Sequence, residues 1–419
     1  MGRDVQQSGD GSGRRPRLLM LSHVLPAPPT AGQHQRVLHT LEAARTHFEV
    51  VFVTSSSAVA DPAVASRTRE LCDELVVIPV TTKRAWRLFQ VAVDIVSSAV
   101  TGLKRSNFDI SRELSYSKVA AAVDVASFDI AFVHYWHATE TAQRIRGAGP
   151  STVLDMHDVL WRARGSQLRE RRWVPEWFVR RTEKAYRRRE ERAWGSYDAV
   201  VAINTAEAED AKSAVPDGVD VWHIPMGVRL ERWPYCWQPT TPPRLAYYGG
   251  LSTRARELAA LRCYERVMPR VWARYPDAEL WLVGSNPTAK LRALADDPRV
   301  TVTGFVEEVN GILGSMTAVL CPFSGRFGFR SRLVEVLATG TPVVATPDAV
   351  HGMGLRDGEG VLLHEDDEGM AGACCDLIEN RVWAADQSKR GRESAEALGW
   401  DATYGKLVDA LAGLAARQR

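Results

Sequence analysis

Short runs of consecutive apolar residues alternate with longer segments of helical periodicity along most of the chain. The runs at residues 17–22, 50–55, 74–80, 129–134, 152–157, 198–204 and 220–225 are apolar continuously rather than at every second position. Strands of that kind are covered on both faces, the condition of a parallel sheet. Their alternation with helices predicts a doubly wound α/β domain. Residues 232–244 hold four prolines, break the pattern and read as a linker. A second series follows at residues 244–250, 278–284, 300–305, 318–323, 341–347 and 361–365, and residues 402–416 read as a closing helix.

The expected fold class is therefore α/β, two doubly wound domains facing across a cleft. The expected division is a disordered tail over 1–15, an N-terminal domain over 16–231 and a linker over 232–243. A C-terminal domain over 244–399 and a helix over 400–419, packing back on the N-terminal domain, complete it. Ligands of such sheets bind outside the carboxyl ends of the strands, so the residues just after each strand are the ones to search.

Composition narrows the function classes. In 419 residues, 53 Lys and Arg against 51 Asp and Glu give a net charge of +2, which excludes a globally basic nucleic-acid binder. The six cysteines show no CxxC pair and no zinc spacing, which points to a reducing compartment. Residues 1–15 carry no signal-peptide pattern, and the longest early apolar run, residues 91–100, is short and contains Asp94. The expected location is cytoplasmic.

The most informative stretch is CPFSGRFGFRSRLVEVLATGTPVVATP, residues 321–347. A strand runs into a loop with Gly325 and Gly328, and a helix starts near Arg330. A glycine loop opening a helix offers free N–H groups and a positive dipole end to an anion. Arg326, Arg330 and Arg332 add forked donors that match phosphate oxygens. Glu335, one turn into an apolar helix, could accept from the vicinal hydroxyls of a ribose. The alternative is a surface pair of Arg332 and Glu335 at i,i+3.

With these residues the chain resembles the retaining glycosyltransferases of the two-Rossmann-domain, or GT-B, type, in the large family 4 (group 1). GFRSRLVE fits a G-x-R/K-x-K/R-x-x-E pattern through Gly328, Arg330, Arg332 and Glu335. The resemblance implies that the C-terminal domain binds a nucleotide diphosphate-sugar, with Glu335 on the ribose. It implies that a cation after the strand YYGG, Arg254 or Arg256 beside Gly250, meets the diphosphate, and that the loops around residues 283–287 and Phe305 flank the base. Gly32 and Arg36, after the first strand, would face the cleft. The expected activity is transfer of a sugar to an acceptor hydroxyl of a cell-surface glycan, a lipid-linked sugar or a specialised metabolite. Retention follows from the resemblance alone, and a front-side displacement fits the absence of a recognisable nucleophile. No metal or other cofactor is expected. One departure is Phe327, where many relatives carry a second glutamate. It keeps open a non-catalytic partner subunit and a nucleotide-sugar 2-epimerase of the same fold.

In the first half, His134 and His137 end one strand and His157 and Asp158 end another, so both sets face the crevice. Arg330, His137 and His157 are the candidate catalytic residues. Residues 161–194 carry a net charge of +7 with interleaved aromatics. They read as a long solvated helix covering the sheet, as a peripheral contact with the inner membrane face or an anionic acceptor, or as nucleic-acid binding. Nucleic acid is the least favoured of the three and is not expected as a partner. The amphipathic stretch 83–105 invites the same membrane reading.

Overall fold

A computed structural model describes residues 14–417 of the chain except 30, 81–83, 104–111, 170, 172 and 327. Most of the expected tail, and Phe327, lie outside the described residues. Seven parallel strands form the first sheet: β1 (Arg17–Ser22), β2 (Glu49–Thr54), β3 (Glu74–Val77), β4 (Ile130–His134), β5 (Ser151–Asp155), β6 (Ala199–Ala202) and β7 (Asp220–His223). Their order is β3-β2-β1-β4-β5-β6-β7. Six more form the second: β8 (Arg244–Tyr248), β9 (Glu279–Val283), β10 (Val300–Gly304), β11 (Ala318–Cys321), β12 (Val343–Ala345) and β13 (Val361–Leu363). Their order is β10-β9-β8-β11-β12-β13.

The continuous hydrophobicity is explained by cover on both faces. Leu19 and Leu21 join one core cluster, while Leu18 and Met20 join another on the opposite face. Each sheet reverses its strand order once, between β1 and β4 and between β8 and β11. Loops leaving these strands diverge there and leave a crevice at the carboxyl ends.

The helices that frame the crevice are α1 (Gly32–Ala44), α2 (Arg84–Thr101), α3 (Leu160–Arg169), α4 (Glu176–Trp194), α5 (Thr205–Ala214), α6 (Arg254–Arg262), α7 (Ser331–Ala338) and α8 (Trp400–Ala416). The basic segment 161–194 is thus two helices rather than one. Pro175 stands at the N-cap of α4 and breaks the run. Glu190 of α4 caps α3 by accepting from the N–H groups of Leu160 (2.9 Å) and Trp161 (2.8 Å).

The C-terminal helix α8 returns to the first sheet. Tyr404, Leu407, Val408, Leu411, Leu414 and Ala415 recur at helical spacing and enter the cluster built on Leu18, Met20, Val37 and Leu41. Its entry is tied to the chain leaving the first sheet: Val228 N–H donates to Leu398 O (3.0 Å), and Trp400 N–H donates to Val228 O (2.9 Å).

Candidate functional site at the interdomain cleft

On the C-terminal side, β8 ends in Gly249 and Gly250, and two guanidinium groups converge there. A Cβ on Gly250 would lie 3.0 Å from Arg256 Nη1 and 3.9 Å from Arg332 Nη1, and one on Gly249 would lie 3.3 Å from Arg332 Nη1. The glycines keep that strand end open beside two cations. Tyr248, the last residue of β8, lies 5.4 Å below the Arg332 guanidinium and donates its hydroxyl to Glu335 (3.2 Å). Burial raises the Glu335 pKa, opposed by Arg332 and the Tyr248 hydrogen bond. Glu335 lines a cavity of about 450 Å³. Gln35 and His39 of α1, residues 226–229, residues 307–310 and Ser331 form its other walls.

Arg330 is the N-cap of α7, and its side chain makes no capping hydrogen bond. Its guanidinium instead donates to Ala349 O (3.1 Å) and Gly325 O (3.3 Å) and lies 3.5 Å over the Phe323 ring. Burial lowers its pKa, while Asp158 of the opposite domain counters that effect.

On the N-terminal side, β4 and β5 end in a buried polar cluster. Arg36 of α1 donates to Asp155 through Nε (2.9 Å) and Nη2 (3.2 Å). His134 Nδ1 lies 2.8 Å from His157 Nε2 and 3.3 Å from Asp155 Oδ2. Burial favours the uncharged state of both histidines, and the pKa of each is lowered. For Asp155 burial acts the other way, but Arg36 and the histidines outweigh it and hold the carboxylate below its usual range.

Two non-glycine residues here have positive φ: Tyr135 (66°) and His157 (61°). Their rings stack with centroids 4.1 Å apart. Paired strained residues at adjacent strand ends are characteristic of functional sites. They line a second cavity of about 220 Å³ with Gly32, Gln33, Arg36, Asp158, Met226 and Phe329. Met226 lines both cavities and stands between them, so they are neighbouring compartments of the cleft.

Glu335 lines the larger compartment, and Gly32 and His157 line the smaller. Arg330, Arg332, Gly250 and Gly328 line neither: Arg332 and Gly250 lie beside Tyr248, the partner of Glu335, Gly328 meets Asp158, and Arg330 lies over Phe323. Arg254 is exposed at the first position of α6. Three candidates sit elsewhere. Arg326 is exposed and ion-paired with Asp348 at 2.9 Å. Phe305 is 78% exposed and lines neither compartment. His137 stacks on Trp136 (4.9 Å) and lines a separate hollow with Glu140 and Arg189.

Among the described residues, ligand atoms of His134, Asp155 and His157 come within 4.8 Å of one another. The set does not fit a metal ion. The Asp155 charge is already matched by a buried guanidinium, which a divalent cation would have to face. The sequence reading missed Asp155 and Tyr248, and also Asn204 and Glu207, which bond Gly328 from the start of α5. Two signals were available: an acid inside the apolar strand TVLDM, and N-T-A-E, a helix-capping spacing.

Residues 242–380 match the family described as Glycosyl transferases group 1. The match covers β8 to β13 of the second α/β half. The group 1 match is extended by curated relatives. The phosphatidyl-myo-inositol mannosyltransferase of Mycolicibacterium smegmatis is 28% identical over 200 residues, 46% of this chain and 50% of that protein. Its counterpart in Mycobacterium tuberculosis is 30% identical over 149 residues, 35% of this chain and 37% of that one. The chain therefore spans half or less of the curated relatives it matches. Solved structures agree over almost the full length. Sucrose-phosphate synthase from Thermosynechococcus elongatus has a TM-score of 0.68 at 19% identity, covering 96% of this chain and 100% of that one. Anabaena HepE in complex with UDP and glucose has a TM-score of 0.61 at 13% identity, covering 95% and 99%. The fold around the group 1 domain is GT-B.

Proposed function

We propose that the protein is a retaining glycosyltransferase that moves a sugar from a nucleotide diphosphate-sugar to an acceptor hydroxyl. The observation that carries this is the set Tyr248, Arg332 and Glu335, with Glu335 in a cavity that adjoins the cavity of His157 at Met226. Glu335, oriented by Tyr248, accepts from the ribose hydroxyls in the larger compartment. Arg332, Arg256 and the open N-terminus of α7 hold the diphosphate. The smaller compartment takes the transferred sugar and the acceptor hydroxyl beside His157, which being neutral can donate to or accept from a hydroxyl. The bond from the anomeric carbon to phosphate breaks as the bond to the acceptor oxygen forms. The acceptor proton passes to the departing diphosphate, whose charge Arg330 and Arg332 stabilise.

The acceptor in this reading is borne on an anionic membrane surface. Trp173 and Trp177 are exposed beside an apolar groove of about 480 Å³ between α2 and the α3–α4 pair. Arg164 and Arg171 line it too, within a segment of net charge +7. Among the described residues no helix is long and apolar enough to cross a membrane. The mannosyltransferase relatives, named for phosphatidyl-myo-inositol, support a lipid-borne polyol.

Isothermal titration with UDP, GDP, ADP and TDP, followed by a mass-spectrometric donor screen, tests the proposal. Binding of one diphosphate and its release from a sugar donor with acceptor present are expected. No binding of any of them would overturn it.

A further inference from the structure

Two loops of the C-terminal domain are held by one helix terminus of the other domain. Asn204 caps α5 by accepting from Glu207 N–H (2.8 Å), and its Nδ2 donates to Gly328 O (3.3 Å). Gly328 N–H donates to Glu207 Oε1 (3.1 Å). Both backbone groups of Gly328 are thereby bound by side chains from across the cleft. One residue along, Thr205 N–H (2.9 Å) and Oγ1 (3.3 Å) donate to Gly352 O.

Both glycines have positive φ, 69° and 72°. A Cβ at Gly328 would come within 2.9 Å of Asp158 Oδ1, and one at Gly352 within 2.7 Å of Asn204 Oδ1. Close approach of the two halves leaves no room for a side chain at either position. The same two loops anchor Arg330, through Gly325 O on one and Ala349 O on the other. Whatever fixes the loops fixes that guanidinium.

We propose that Asn204 and Glu207 are positioning residues: they lock Gly328 and, through the neighbouring Thr205, Gly352 against α5 in the closed arrangement and so set Arg330, which bonds to Gly325 O and Ala349 O, beside the cleft. This rests on the glycosyltransferase reading for its kinetic consequence and on geometry alone for the closure. Neither residue needs to touch substrate. Misplacing a charge-stabilising group by about 1 Å can cost on the order of 100-fold in rate.

Three variants of the full chain separate positioning from folding. Asn204→Asp keeps the cap but replaces the donor to Gly328 O with a carboxylate. Glu207→Ala removes the acceptor, and Glu207→Gln restores one. With donor and acceptor from the screen above, N204D and E207A should lower kcat by about 10- to 100-fold while the donor KM moves less than about threefold. E207Q should recover most of the rate. Spin labels on exposed sites of the two domains should show a broadened, longer distance in N204D and E207A, and the wild-type distance in E207Q. Unchanged distances in N204D and E207A would overturn the lock whether or not the enzyme turns over. So would an E207Q variant as slow as E207A. A wild-type chain that binds no nucleotide would instead sink the functional reading, while the distance measurement still decides the lock.

Discussion

Arg36 and Asp155 form an ion pair with both side chains out of solvent, Nε to Oδ2 at 2.9 Å. The same guanidinium donates to Ile224 O (3.0 Å) and lies 5.5 Å from the Tyr404 ring centroid. One side chain therefore ties α1, β5, the segment after β7 and the C-terminal helix together, directly behind His157. Removing one partner strands a buried charge. Asp155→Leu and Arg36→Met should each destabilise the fold by about 3–5 kcal/mol, and the variant carrying both changes by less than the sum. Urea unfolding of the four proteins checks this, and additive losses would show that the two groups do not act as a pair.

Acid sensitivity follows from the buried histidines. Burial lowers the pKa of His23 to about 4 and of His39 and His137 to about 3. The unfolded chain takes up protons near pH 6.5, and the folded chain does so only at those lower values. The stability these three histidines contribute is therefore full above about pH 6.5 and is lost as the pH drops toward 3, by ~1.4 kcal/mol per pH unit for each proton taken up by the unfolded chain alone. Burial of Asp158, Glu190 and Glu207, whose pKa values are raised, acts in the opposite direction over part of that range. His137→Asn should flatten that slope by one proton. An unchanged slope from pH 6 to 4 would place His137 in solvent.

Glu335 and Arg330 should separate binding from turnover. Glu335→Ala should weaken the preferred nucleoside diphosphate by about 10- to 100-fold, as expected for lost hydrogen bonds to a charged group. Arg330→Ala should lower kcat by about 100-fold with little change in that affinity. Titration and steady-state kinetics on both variants read the split, and an unaltered affinity in the glutamate variant would remove it from the ribose.

The exposed tryptophans should matter only at a surface. Trp173→Ser with Trp177→Ser should abolish co-sedimentation with vesicles rich in anionic lipid and leave nucleotide affinity unchanged. Equal binding of wild type to neutral vesicles would argue against the charge-assisted contact.

The parallel sheets were legible because residues such as Leu18 to Leu21 are buried on both faces and the runs alternate with helical segments. The ends of the strands were less so. The run 152–157 looked like one strand, yet β5 stops at Asp155 and His157 turns to positive φ. No local apolar pattern encodes that turn; contacts among Tyr135, His134 and Asp155 hold it. The arginine-rich loop and Glu335 were readable because their spacing sits on one helix start. Arg326 belonged to the same motif but faces Asp348 outside the cleft, a choice made by β12's following loop. Glu207 escaped notice because its partner, Gly328 N–H, is 121 residues away and on the other domain.

The polypeptide passes between the halves twice, and the two passages lie side by side at Val228 and Gly399. A pair of parallel tethers tolerates rotation about the line joining them but resists sliding or twisting one half over the other. An opening motion that keeps both tethers in contact is a swing about the Val228–Gly399 bridge, which borders the larger compartment through residues 226–229. The far edges of the two halves then travel farther than the residues beside the bridge, so a crosslink between those edges restrains the swing more than one placed near Val228.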